Sequence, residues 1–156
     1  MAMHYETTST GWAERLVAEF PGGHVMRSII GTWKLIGGRA TFEDGTPAPQ
    51  PYGGAKGMGR VIFDADGRMM AVLCDGRREL PAGATREYSS YCGNYTFDGQ
   101  RLVTEVDATS DASRLTGNQV REVSFEGGIM VFRHATRRAD GRLVRREMSW
   151  EKISDT

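Results

Sequence analysis

The chain has no surplus of charge of either sign. Lys+Arg and Asp+Glu each total 20, so there is no bulk field to select nucleic acid or an anionic membrane, and neither is expected as a partner. Cysteine is scarce. Cys74 and Cys92 form no C-x-x-C pair, and no Cys/His cluster has zinc spacing, so neither a metal nor any other cofactor is expected. Long apolar runs are missing too. The first twenty residues lack a signal-peptide core and no segment is long enough to span a bilayer, so a soluble, cytoplasmic protein with two reduced thiols is expected.

What remains suits one domain. The chain has 156 residues and 39% hydrophobic content, enough for a single core. Residues 1–8 read as a polar tail. Trp12, Leu16, Val17 and Phe20 then form one apolar stripe at helical spacing, ended by Pro21-Gly22-Gly23. A short further helical turn is expected between His24 and Ile30. From Gly31-Thr32-Trp33 onward the pattern changes to short alternating runs separated by Gly- and Asp-rich turns. These runs predict eight strands, near 32–42, 59–63, 68–74, 88–97, 101–107, 119–125, 129–137 and 143–152. Almost all are hairpin-connected, and no helix pattern interrupts them. The expected architecture is therefore all-β, an antiparallel up-and-down barrel, in which closure removes exposed edges. Trp33, at the start of the first strand, is expected to plug its floor.

Turn lengths set register, and register sets faces. Asp98-Gly99 as a two-residue turn places Tyr95 opposite Leu102 and Tyr91 opposite Val106. Gly127-Gly128 pairs Phe125 with Met130, Val123 with Phe132 and Arg121 with His134, and leaves Glu122 facing Arg133 as a solvent-side ion pair. Strands five and six are expected to pair Leu102 with Phe125 and Thr104 with Val123. The expected lining is then Tyr91, Tyr95, Leu102, Thr104, Val106, Arg121, Val123, Phe125, Met130, Phe132 and His134. The last hairpin has two readings. A two-residue turn at Asp140-Gly141 brings Glu147 inward beside His134. A one-residue change brings Met148 and Trp150 inward instead.

Five segments carry a family resemblance. They are Ile30-Gly31-Thr32-Trp33-Lys34-Leu35, the run from Gly59 to Met69, Tyr91-Cys92-Gly93-Asn94-Tyr95, Gln119-Val120-Arg121 and Ser149-Trp150-Glu151. In this order they resemble the bacterial and fungal lipocalin-like domain family, over roughly Val25 to Ile153. The resemblance implies a small calycin-type barrel with a central cavity, over residues 25–156, preceded by the tail and helix of 1–24. It implies a fold more than an activity, although some members lie in natural-product pathways. The family often carries a His-His pair in strand five. Thr104 and Glu105 stand there in this chain, so any role resting on those histidines is not carried over.

Three functions follow as expectations. The first is binding of a small, mostly apolar or aromatic molecule inside the barrel. Arg121 would hold its polar end, with Tyr91, Tyr95, Thr104, Val123, Met130 and Phe132 around the rest. The second is a cofactor-independent isomerase, cyclase, lyase or hydratase, with His134 or Glu147 moving a proton. The third is an interaction domain with a filled barrel, whose N-terminal helix mediates contact, a homodimer included. Glu105, Asp107 and Asp111 read as a solvated acidic face.

Overall fold

Gly31 begins the sheet because no other residue fits there. Its φ is 131°, and a β-carbon would collide with the Ser154 carbonyl and the Lys152 side chain. Glycine lets the first strand approach the last. The computed structural model describes residues 27–156. Its strands are β1 (Gly31–Phe42), β2 (Gly57–Phe63), β3 (Arg68–Asp75), β4 (Tyr88–Phe97), β5 (Arg101–Thr109), β6 (Gln119–Glu126), β7 (Ile129–Arg137) and β8 (Leu143–Ser154). Each pairs antiparallel with its sequence neighbour, and β8 returns to β1 to close the expected eight-stranded barrel. The expected N-terminal helix lies outside the described residues. Residues 27–30 are irregular, not the helical turn expected there.

Turn chemistry explains the registers. Gly127 and Gly128 have φ of 57° and 85°, as a type I′ turn requires, and they pair Phe125 with Met130 and Val123 with Phe132 as expected. The β4–β5 turn differs from expectation. The Asp98 carboxylate accepts from the Gln100 and Arg101 amides, which draws Asp98 into the strand end. Gly99-Gln100 then form the turn, and Tyr95 pairs with Thr104, not Leu102. A bulge after Cys92 shifts Tyr91 to Thr109. Between β5 and β6 the slip is larger, with Leu102 opposite Arg121 and Thr104 opposite Gln119. Both slips are even in residue number, so the inward face is preserved.

The β7–β8 hairpin takes the second of its two readings. The loop is Ala139-Asp140-Gly141, closed by the Arg138 amide donating to the Arg142 carbonyl at 2.9 Å, with Gly141 at φ 85°. His134 therefore pairs with Arg146 and Phe132 with Met148. Met148 and Trp150 face the core, 6% and 2% exposed. Glu147 lies on the outer face, paired with Arg39 at 3.1 Å and Arg133 at 3.7 Å, which removes it from the expected inward row. The expected Glu122–Arg133 ion pair is also corrected. The two are cross-strand neighbours, but Arg133 pairs with Glu126 at 2.6 Å.

The core fills most of the barrel. At the β1 end, Trp33 is 3% exposed, and its indole N–H donates to the Ile29 carbonyl at 2.9 Å. Its ring packs against Phe125, while Val61, Phe63 and Met69 complete the cluster. Trp33→Ala should lower unfolding stability in urea by about 3–5 kcal/mol. Trp33→Phe, which keeps a ring but loses the donor, should cost about 1–2 kcal/mol. An unchanged urea midpoint for Trp33→Ala would show that this end does not depend on the indole.

Candidate functional site

The opposite end of the barrel is built differently. There the chain leaves β1 through Pro47-Ala48-Pro49 and returns as a strap, Pro51–Lys56, laid across the opening. Tyr52 is 7% exposed and adopts φ 51°, a left-handed conformation rare for a side-chain-bearing residue. Its amide donates to the Glu87 carboxylate at 2.8 Å. Gly53 lies against the Asp75 carboxylate, closer than any β-carbon could. Asp75 is itself buried and doubly bound by Arg77, which holds its carboxyl at about 2. The strap is thus anchored by the Glu87 carboxylate of the β3–β4 loop and packs against Asp75 of β3.

Beneath it lies a cavity of about 50 Å3, room for a few waters or one small polar group. Leu73, Phe132, Met148 and Trp150 supply apolar wall, and Pro51 and Tyr52 the roof. The remaining lining is Tyr91, Arg114, Arg121, His134 and Arg146. Arg121 reaches it from β6, donating to the Val120 carbonyl at 2.8 Å and the Gln119 side chain at 3.4 Å. Arg146 comes from β8, directly across from His134. Arg114 folds over from the turn Ala112–Leu115, where it lies 4.7 Å above the Tyr91 ring and donates to the Ser89 hydroxyl at 2.9 Å.

Electrostatics at this end are one-sided. The lining holds three guanidiniums and no carboxylate, and none of the three is ion-paired among the described residues. Burial pushes Arg121 below its ordinary value, with Arg114 and Arg146 adding to this and Tyr91 opposing it. Burial likewise raises the Tyr91 hydroxyl, although Arg121 and Arg114 favour its anion. His134 is held down at about 3, first by burial and then by Arg121, Arg146 and Arg114, so its imidazole is neutral at physiological pH. Among the described residues, four buried side-chain nitrogens have no hydrogen-bond partner, and all four residues belong to this lining. They are Arg114 Nε, Arg146 Nε, His134 Nδ1 and Trp150 Nε1.

A family model described as a lipocalin-like domain matches residues 30–153. The chain belongs to the lipocalin-like domain family. Among curated proteins, none matches it. A lipocalin-like barrel is an architecture for binding small molecules in general, and its cavity here is at the strap end. Among the described residues, no helix is long and apolar enough to cross a membrane.

Within this lipocalin-like barrel, Arg121, His134, Tyr91 and Phe132 meet at the cavity. Thr104, Val123 and Met130 are buried in the barrel wall but do not line it. Tyr95 belongs to the other end, edge-on to Phe63 at 4.9 Å, its hydroxyl donating to the Asp64 carbonyl. Glu147 is outside. Two of the three acidic residues near β5 have structural partners. Asp111 caps the Ala112–Leu115 turn through Ser113, and Asp107 faces Arg68 at 3.7 Å. The sequence reading missed Arg114, Pro51, Tyr52 and Leu73. Arg146 was within reach, because the register that turns Met148 and Trp150 inward carries Arg146 with them.

The buried, neutral His134 couples stability to acid. Its folded value is below its ordinary 6.5, so between that value and about 3 the unfolded chain binds the extra proton, and stability falls as pH falls. The thermal midpoint should therefore drop on acidification through this window, and His134→Gln should flatten that slope. Equal slopes in scanning calorimetry would contradict a buried neutral imidazole.

Proposed function

We propose that the barrel binds a small, mostly apolar or aromatic molecule whose polar end is held at Arg121. One observation carries this reading. A half-buried guanidinium faces an apolar-walled cavity with two neutral acceptors but no ionic partner, an arrangement that costs free energy unless something supplies a counter-charge. Phe132, Met148 and Trp150 offer apolar and aromatic contact beside it. The cavity accepts a polar head group. The body of a larger ligand would extend past the half-buried rim of Tyr91 and His134, or lift the Tyr52 strap. The acid/base alternative loses Glu147 to the outer face and rests on His134 alone, a weak base when held at about 3. Binding is therefore the better-supported reading.

An environment-sensitive aromatic probe, 1-anilinonaphthalene-8-sulfonate, tests it. The wild-type chain should bind the probe with enhanced emission. Arg121→Ala should weaken binding about 10–100-fold, the worth of a lost charged hydrogen bond. Lys34→Ala, which removes an exposed cation on the outer face of β1, should leave it unchanged. Equal affinity for wild type and Arg121→Ala would overturn the placement of the ligand.

A further inference from the structure

We infer that the cavity is an oxyanion site, formed by Arg114, Arg121 and Arg146 with the Trp150 indole N–H, and that its ligand is an apolar or aromatic molecule ending in a carboxylate-sized anion. This rests on the small-molecule reading above and names the ligand's chemical class.

The donor inventory carries the inference. A guanidinium and an indole only donate hydrogen bonds. Trp150 is 2% exposed, and its Nε1 has no acceptor. Arg114 Nε and Arg146 Nε are buried in the same condition. Unpartnered buried donors are rare in folded chains, because each forfeits its hydration. The three residues that carry them all line one small cavity. A cation or a donor-only ligand would leave them all unpaired. A neutral acceptor would satisfy some of them but leave three positive charges repelling one another. An oxyanion answers both needs, and planar guanidiniums match a carboxylate in paired hydrogen bonds.

Among the described residues, the acids around this end are committed elsewhere. Glu87 accepts from the Tyr52 amide, Asp75 is bound by Arg77, Glu147 pairs with Arg39 and Arg133, and Asp111 accepts from Ser113. Among the described residues none turns to the cavity, although Glu87 holds the strap that roofs it. The described residues thus bring no negative charge to this cavity. The volume of about 50 Å3 exceeds what one water needs, roughly 10–15 Å3, and suits a carboxylate.

Benzoate and benzamide, matched in shape and differing in charge, discriminate. In low-chloride buffer at pH 7, benzoate should bind at least 10-fold tighter than benzamide by calorimetry. It should also shift the Trp150 indole N–H resonance downfield, which benzamide should not do. Arg114→Met and Arg146→Met should each weaken benzoate about 10-fold or more and narrow the benzoate preference. Arg146→Met should also raise the thermal midpoint of the ligand-free protein, since it removes an unpaired cation, and this shows that the variant is folded. Equal binding of the two probes, or no binding of benzoate, overturns the oxyanion assignment. The broader reading then survives if the Arg121-dependent response to the sulfonated fluorophore persists, and falls if that response is absent too.

Discussion

The pairing of β1 with β8 is the constraint from which the rest of the molecule follows. It runs over ten residue partners, from Thr32 opposite Ser154 to Phe42 opposite Val144, with two register shifts along the way. Without it the sheet would have two exposed edges. With it, every inward side chain must find a partner inside a space of fixed girth. Gly31 permits the contact, and Trp33 fills the end where it begins. Because β1 is held along its length, the chain leaves it at a defined point and can be led back as the strap over the far end.

That division of labour gives the barrel two unlike ends. Among the described residues, no buried side-chain nitrogen or oxygen around Trp33 lacks a partner. Its indole N–H has the Ile29 carbonyl, and the Tyr95 hydroxyl has Asp64. At the strap end the partnering fails mainly on the donor side, with two arginine Nε–H groups and the Trp150 indole N–H unpartnered beside the His134 Nδ1. A stability-driven core would not leave Arg114, Arg121 and Arg146 around one small cavity beside an orphaned indole. Local inconsistency set within an otherwise consistent fold is where function is usually found. The strained Tyr52 lies at the same place.

Much of this was legible in the sequence, for a definite reason. The barrel follows from strand count and hairpin turns. The lining survived two wrong registers because both slips were even. Tyr95 faces Thr104 where Leu102 was expected, and Leu102 faces Arg121 where Phe125 was expected, yet in a pleated strand a shift of two or four residues keeps a side chain on its face. The β7–β8 hairpin is the contrasting case, since a shift of one residue exchanges Glu147 for Met148 and Arg146. Its answer was present in the chain as a repeat. Ala-Asp-Gly-Arg occurs at Ala65–Arg68 and again at Ala139–Arg142. Both copies form the same three-residue loop, with glycine at φ 83° and 85°. The less ambiguous β2–β3 hairpin could have fixed the register of the last one.

Arg114 was not legible in the same way. It comes from the β5–β6 connection, where no periodicity assigns a face, and its position depends on Asp111 capping a four-residue turn and on the Tyr91 ring beneath it. The strap is similar, since its path is set by Glu87 and Asp75, distant in sequence. Strand-borne parts of the site therefore follow from pattern, while loop-borne parts follow from tertiary partners that pattern does not encode. The two kinds of part also divide the task. Arg121 and Arg146 are fixed by the ladder and give the site its position. Arg114 is held by the Tyr91 ring and the Ser89 hydroxyl, and Tyr52 by the Glu87 carboxylate, so the loop-borne parts close the site through side-chain contacts and not through the ladder.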